Sequence, residues 1–249
     1  MLSSFPIPAI FAHRGDSAHA PENTIAAFEL AAERGADAIE LDAKLTADGE
    51  IVVIHDATAD RTTDGSGKIA EMPLRALREL DAGLWFGEEF RGERIPTLAE
   101  VFEAVGDRLR INVELTNYAA PLDPLPYKAA ELVRRHGLEG RVLFSSFNPI
   151  ALRRAHKRLP AIPLGLLALP GLAGRWARSF LGARVVPYHA LHPQIRDATP
   201  ALIEREHTKG RRIHVWTVNN PDDIQQLFQW GVDGIFTDDP ARAVSLRET

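Results

Sequence analysis

Between residues 38 and 56 the chain places two carboxylates and an imidazole within reach of one another. The stretch reads Ala-Ile-Glu-Leu-Asp-Ala-Lys-Leu-Thr-Ala-Asp-Gly-Glu-Ile-Val-Val-Ile-His-Asp. Two apolar runs flank Asp48-Gly49. Asp-Gly between alternating strands is a strong hairpin signal, because Gly accepts the positive φ that a tight turn needs. A turn centred between 48 and 49 pairs positions that sum to 97, which sets Asp42 opposite His55. Glu40 shares the face of Asp42, since side chains alternate along a strand. Buried charges are expensive unless they are paired or hold a metal. This face therefore calls for a cation.

Composition narrows the setting. The chain has 249 residues, 45% of them apolar and 25% charged, an ordinary globular balance. Net charge is −5, and no basic cluster suits a nucleic-acid backbone, so small-molecule partners are expected and nucleic acid is not. There is no cysteine, hence no disulfide framework and no thiol chemistry, which fits a cytoplasmic protein. The opening Met-Leu-Ser-Ser-Phe-Pro-Ile-Pro does not read as a secretory leader. No uninterrupted apolar run reaches 18 residues, so no membrane span or stable membrane insertion is expected. The nearest candidate, Ile162–Leu181, is broken by Pro163, Pro170, Arg175 and Arg178.

The elements that must position the chemistry come next. A short apolar strand, 9–13, ends in His13-Arg14-Gly15. Asn23 is the expected N-cap of a helix over about 24–34 that stops at Gly35. After the hairpin, residues 57–95 look irregular apart from a short helix near Pro73–Leu80. Thr97, with Glu100 three residues on, forms a capping box for the next helix. Strand and helix then alternate regularly, with a helix expected near Leu172–Phe180. Alternation implies parallel strands joined by right-handed crossovers. The return strand of the hairpin is antiparallel to its neighbour and drops out of the count. Eight strands remain: 9–13, 38–42, 110–115, 142–145, 162–167, 184–187, 213–217 and 234–237. Eight βα units in one domain of this length predict a TIM barrel, with the hairpin and a small insertion, roughly 56–95, after the second strand. A doubly wound sheet is the runner-up, but the Gly-rich dinucleotide fingerprint is missing. Active sites of barrels lie at strand C-terminal ends. His13, Glu40, Asp42 and Glu114 all end the first three barrel strands.

These residues resemble the glycerophosphodiester phosphodiesterase family. The pieces that carry the resemblance begin with His13-Arg14-Gly15, Ala20-Pro21-Glu22-Asn23-Thr24, Glu40-Leu41-Asp42, Val52-Val53-Ile54-His55-Asp56 and Arg61-Thr62-Thr63. They continue with Asn112-Val113-Glu114, Val215-Trp216-Thr217 and Gly231-Val232-Asp233-Gly234 through Asp238. The resemblance implies a TIM barrel that hydrolyses glycerophosphodiesters to glycerol 3-phosphate and an alcohol, a step in glycerol and lipid metabolism. It implies a divalent cation on Glu40, Asp42 and Glu114, acid–base roles for His13 and His55, and a phosphate contact for Arg14. Three carboxylates suit a hard ion, Mg²⁺, Ca²⁺ or Mn²⁺. Histidine suits proton transfer near neutrality. His13 is assigned as acid and His55 as base. The nucleophile is either water or the glycerol's own hydroxyl.

One departure from the family's pattern stands out. Many members carry a lysine on the third strand where this chain has Thr116, and Lys44, which shares the parity of Glu40 and Asp42, can substitute for it. Trp216, at the end of a barrel strand, is a candidate stacking surface for substrate. The alternative functions are a lysophospholipase D, a phospholipase C-like enzyme, or a non-catalytic barrel that binds a phosphodiester. Asp37 and Asp233, just before strands, read as structural. His189 and His192 are weak candidates for the barrel mouth.

Overall fold

The computed structural model describes residue 2, residues 5–177, residue 179 and residues 186–248. Its centre is a closed parallel barrel made of β1 (Ala9–His13), β2 (Ala38–Leu45), β4 (Arg110–Leu115), β5 (Val142–Ser146), β6 (Leu164–Ala168), β7 (Ala190–Pro193), β8 (Arg212–Val215) and β9 (Gly234–Thr237). Closure is shown by β1, which pairs in parallel with both β2 and β9. Among the described residues the only antiparallel strand is β3 (Ile51–Val53), which pairs back on β2. This is the TIM barrel with a hairpin that the strand count predicts.

The two-residue period of the strands sorts their side chains into two cores. Ile10, Ile39, Leu41, Ile111, Val113, Phe144, Leu164, Ile213 and Ile235 point outward and are buried beneath the helices. Phe11, Ala38, Leu143, Ala190 and Phe236 point inward and fill the barrel, with Leu2 and Phe5 closing its base. The surrounding helices are α1 (Ile25–Glu33), α3 (Leu98–Val105), α4 (Leu125–Arg135), α5 (Pro149–Arg158), α6 (Pro200–Thr208), α7 (Pro221–Gln229) and α8 (Pro240–Arg247). Their starts are chemically marked. Thr97 and Glu100 form the expected capping box on α3, and Pro sits in the first turn of α4 to α8, where its missing N–H leaves no bond unmade. Asp37 and Asp233 are structural, as read. Asp37 accepts from Ile10 N and Arg247, and Asp233 accepts from Ile213 N at 2.8 Å and His207 Nε2 at 2.7 Å.

The insertion between β3 and α3 carries the one-turn helix α2 (Leu74–Leu77) and its own small core of Val52, Ile54, Ala59, Ile69, Leu77, Ala82 and Ile95.

Three local expectations change. The hairpin register is shifted by one: Ala43 pairs with Val53 and Leu45 with Ile51, so paired positions sum to 96. Gly49 (φ +81°) does not sit at the centre of a two-residue turn. It closes a three-residue loop between Thr46 and Glu50, in which Thr46 N donates to Glu50 O and Gly49 N to Thr46 O. A type I turn closed by a left-handed glycine adds one residue to the loop and moves every cross-strand partner. Asp42 therefore faces Ile54, whose N–H donates to its carbonyl at 3.0 Å, and His55 lies beyond the ladder. Second, the expected strand 184–187 is not the sixth barrel strand. Residues 184 and 185 lie outside the described residues, Val186 and Pro187 are not extended in a ladder, and the strand is Ala190–Pro193. Its Ala-Leu-His-Pro is a poor strand sequence that the neighbours β6 and β8 impose by pairing. Third, the helix expected near Leu172–Phe180 is a single 3₁₀ turn, Gly171–Gly174, in its described part; residues 178 and 180 lie outside it.

β7 and β8 also place His192 and His214 inside the barrel, fully buried, with His214 Nδ1 3.1 Å from His192 Nε2. Gly165 makes the room: a Cβ there would lie 2.3 Å from the His192 ring. His189 is at the barrel base, where its Nδ1 accepts from Leu164 N. Neither histidine of this sequence pair opens on the mouth. Burial pushes His192 down to about 3, and burial with the neighbouring His192 pushes His214 well below its ordinary value. The unfolded chain then takes up protons that the folded one refuses, so stability is lost as pH falls below the ordinary value of 6.5 toward about 3. Replacing His192 with Gln should make the slope of unfolding free energy against pH shallower between about 6.5 and 4, as measured by urea denaturation at stepped pH.

Candidate active site

The site is built where β1, β2 and β4 end side by side. His13 pairs in register with Glu40, and Asp42 with Glu114. After β1 the chain turns sharply through Arg14 (φ +60°) and Gly15 (φ +88°). Glycine is required at 15 because a Cβ would meet Ala27 of α1 at 2.6 Å. The turn aims the Arg14 N–H at Glu40 Oε2, 3.1 Å away, and brings Arg14 Nε to 3.6 Å from Asp42. Asn23 (φ +59°) does not cap α1; Thr24 does, accepting from Ala27 N. Asn23 instead holds Asp42 twice: its Nδ2 donates to Asp42 Oδ2 at 2.9 Å, and its Oδ1 accepts from Asp42 N at 3.3 Å.

A cavity of about 240 Å³ opens at this end of the barrel, lined by His13, Arg14, Glu40, Asp42, His55, Asn112, Glu114, Phe147, Leu167, Trp216 and Phe236. Carboxylate oxygens of Glu40, Asp42 and Glu114 all lie within 4.8 Å of one another. Burial, and then the charges of Asp42 and Glu114, push Glu40 well above the usual carboxyl range. Glu114 is pushed up to about 8 by burial and Asp42. The Tyr118 hydroxyl donates to Glu114 from the loop that follows β4. Burial opposes the charge on Arg14, yet Asp42, Glu22 and Glu40 together hold its proton more firmly than usual. Three all-oxygen side chains that cannot comfortably ionise together are what a hard divalent cation would neutralise.

Each histidine is backed by a carboxylate. His13 Nδ1 is 2.7 Å from Asp238 Oδ1, and Asp238 also accepts from Ser17 and Asn219. His55 Nδ1 is 2.6 Å from Asp56 Oδ1. Arg61 hydrogen bonds, against the effect of burial, bring Asp56 down to about 2. With Nδ1 engaged, Nε2 is the nitrogen each ring offers to the cavity. On the opposite wall Tyr118, Phe147 and Trp216 form an edge-to-face arc with centroids 5.9 and 5.6 Å apart, and Trp216 Nε1 donates to His192 O.

The structure thus brings together His13, Arg14, Glu40, Asp42, His55, Glu114 and Trp216. Lys44 does not line the cavity. Its Nζ donates to Thr116 Oγ1 at 2.7 Å, beside the carboxylates, and burial lowers its pKa against the pull of Asp42 and Glu114. Asp238, Asn23 and Tyr118 were not assigned to the site from sequence. Only the closure that sets β9 beside β1 brings Asp238 to His13.

Fold and site together define an enzyme of the TIM-barrel phosphodiesterase class. Residues 13–242 match the Glycerophosphoryl diester phosphodiesterase family, and the chain belongs to it. A glycerophosphodiester phosphodiesterase of Caldanaerobacter subterraneus subsp. tengcongensis is 44% identical, over 95% of this chain and 96% of its own. One from Bacillus altitudinis is 39% identical over 96% and 98%. An Oleispira antarctica phosphodiesterase, solved in complex with the product sn-glycerol-3-phosphate, superposes with a TM-score of 0.85 at 32% identity, covering 98% of both chains.

The double grip of Asn23 on Asp42 yields a stability test. Asn23→Ala should destabilise the fold by about 1–3 kcal/mol, from lost buried hydrogen bonds and a left-handed backbone. Asn23→Gly relieves the backbone only, so thermal unfolding should place it between the two.

Proposed function

We propose that this chain hydrolyses glycerophosphodiesters to sn-glycerol 3-phosphate and an alcohol, with His13 and His55 transferring protons. The observation that carries the reading is the pair of carboxylate-backed histidines on one cavity with three clustered carboxylates. The product bound by the Oleispira antarctica relative supports the substrate class.

Arg14, free of titration near neutrality, presents its guanidinium to a phosphoryl oxygen. His55, whose Nδ1–H is held by ionised Asp56, takes at Nε2 the proton of the attacking oxygen, which belongs to water or to the glycerol's neighbouring hydroxyl. A new P–O bond forms as that O–H bond breaks. His13, held at Nδ1 by Asp238, gives its Nε2 proton to the leaving oxygen as the P–O bond to the alcohol breaks. Where the glycerol hydroxyl attacks, water then opens the cyclic phosphate with the two histidines exchanging roles. Each transfer of this kind typically contributes about 10²–10⁴-fold. The Phe147–Trp216 wall gives the glycerol carbons an apolar surface. Glu40, Asp42 and Glu114 are the groups that would hold one divalent cation, Mg²⁺, Ca²⁺ or Mn²⁺, which when bound polarises a phosphoryl oxygen. Lys44, tied to Thr116, sets a positive charge beside Asp42 and Glu114, in the region where family members carry lysine on the third strand.

Release of glycerol 3-phosphate from glycerophosphocholine, followed by a coupled dehydrogenase, tests the reading. Activity should vanish on chelation and return with one of the three ions, and His13→Ala should lower kcat by about 10²–10⁴-fold. An ion at about 100 times its Kd should also stabilise the fold by about 2.7 kcal/mol, and Glu40→Gln should abolish that gain. No turnover with any ion would sink the proposal. Lys44→Ala should lower kcat/KM by about tenfold, the effect of roughly 1.4 kcal/mol; unchanged kinetics would dismiss its role.

A second reading keeps the chemistry and changes the substrate to a lysophospholipid. Leu122, Leu169 and Leu172 are exposed on loops at the mouth, Leu172 by 79%. Competition between glycerophosphocholine and lysophosphatidylcholine separates the two substrates.

A further inference from the structure

Two stretches that carry the family resemblance touch no reacting atom in the chemistry above, Ala20-Pro21-Glu22 and Arg61-Thr62-Thr63. They meet at one guanidinium. Arg61 donates through Nε to Asp56 Oδ2 at 2.7 Å and through Nη2 to Asp56 Oδ1 at 3.2 Å. The far side of the same fork donates to both oxygens of Glu22, each at 2.8 Å. Asp56 Oδ1 is also the atom that holds His55 Nδ1. Glu22 Oε1 also accepts from Arg14 Nη1 at 2.9 Å. A continuous chain therefore runs His55–Asp56–Arg61–Glu22–Arg14 along one edge of the cavity.

We infer that Arg61 is a positioning residue for His55, acting through Asp56 and braced by Glu22. The need for one follows from the register of the hairpin. His55 lies past the last paired residue of β3, and its side chain is 42% exposed. No ladder bond orients it, and Asp56 is itself a loop residue. An imidazole held by one mobile carboxylate would sample several orientations. The planar fork of Arg61 fixes the plane of the Asp56 carboxylate by two bonds. That in turn fixes which ring nitrogen is protonated and where Nε2 points, as the groups behind a ligating or catalytic histidine commonly do. Arg61 is not among the residues that line the cavity, and its fork is taken up by Asp56 and Glu22. Its own loop is anchored: Thr62 and Thr63 are buried, and Thr63 Oγ1 donates to Ala59 O and accepts from Gly65 N. An isolated exposed ion pair is worth little. Here one guanidinium spans two carboxylates, each engaged by a further partner, and the function is orientation.

The inference rests on His55 as a proton-transfer group, and a kinetic double-mutant cycle separates the two claims. Arg61→Ala, His55→Ala and the double variant are compared on glycerophosphocholine with the metal-loaded enzyme. Arg61→Ala should lower kcat by about 10–100-fold and leave KM within about threefold, and it should have no further effect in the His55→Ala background. Arg61→Lys should recover only part of the loss, because an ammonium cannot span both carboxylates. It also serves as the informative variant if Arg61→Ala unfolds. Equal losses from Arg61→Ala in both backgrounds would show a general structural role and overturn the inference while leaving His55 as base. Full activity in Arg61→Ala would overturn it as well. Full activity in His55→Ala would overturn both claims together.

Discussion

Three carboxylates set side by side, Glu40 and Asp42 buried and Glu114 half-buried, are the constraint on which the upper half of this barrel depends. Parallel pairing of β2 with β4 puts Asp42 and Glu114 opposite one another, and Glu40 follows on the same face. Carboxylate oxygens within 4.8 Å repel by about 3–4 kcal/mol per ionised pair at an effective dielectric near 20. Apolar strand ends would be cheaper to fold. The surroundings are arranged around this repulsion. Arg14 bends through a left-handed turn to offer both its amide and its guanidinium. Asn23 takes a second left-handed conformation to hold Asp42, and Tyr118 covers Glu114. A divalent cation held by these carboxylates would offset the negative charge that otherwise repels an anionic phosphodiester.

The lower half of the barrel solves a different problem. Its interior is filled by Phe11, Leu143 and Phe236 around two neutral histidines, and Gly165 is small because the His192 ring lies against it. Stability and chemistry are thus separated along the barrel axis. The base is a packed core closed by Leu2 and Phe5, and the mouth sets the clustered carboxylates opposite an aromatic wall. The two halves meet at Trp216, whose ring borders the cavity and whose indole N–H ties it to His192.

Loops supply what strands cannot. The strand ends contribute His13, Glu40, Asp42 and Glu114 on a rigid frame. His55, Asp56, Arg61 and Tyr118 come from the hairpin exit, the insertion and a rim loop. Those groups need additional hydrogen bonds to be held, and the bidentate contacts of Arg61 are the densest of them. Functional residues on loops positioned by a scaffold are the general pattern. The insertion, which has its own small core, brings Arg61 to Asp56 and Glu22.

Much of this was legible in the sequence, because the signals were local. Alternating apolar strands and helices dictated the parallel barrel, and parity along β2 dictated that Glu40 and Asp42 face the same way. The capping box of Thr97 and the end of the first strand at His13 were likewise written in neighbouring residues. What only the tertiary structure decided depended on contacts between distant segments. Whether Gly49 closed a two- or three-residue loop settled the register, and one residue of slip moved His55 off Asp42. Ala-Leu-His-Pro became a strand because β6 and β8 left a gap of that width. Asn23 left the helix cap for a carboxylate 19 residues away. Asp238 reached His13 only when the last strand closed on the first. Local propensity is encoded in a few consecutive residues, whereas partners for buried charges are chosen by closure of the whole barrel.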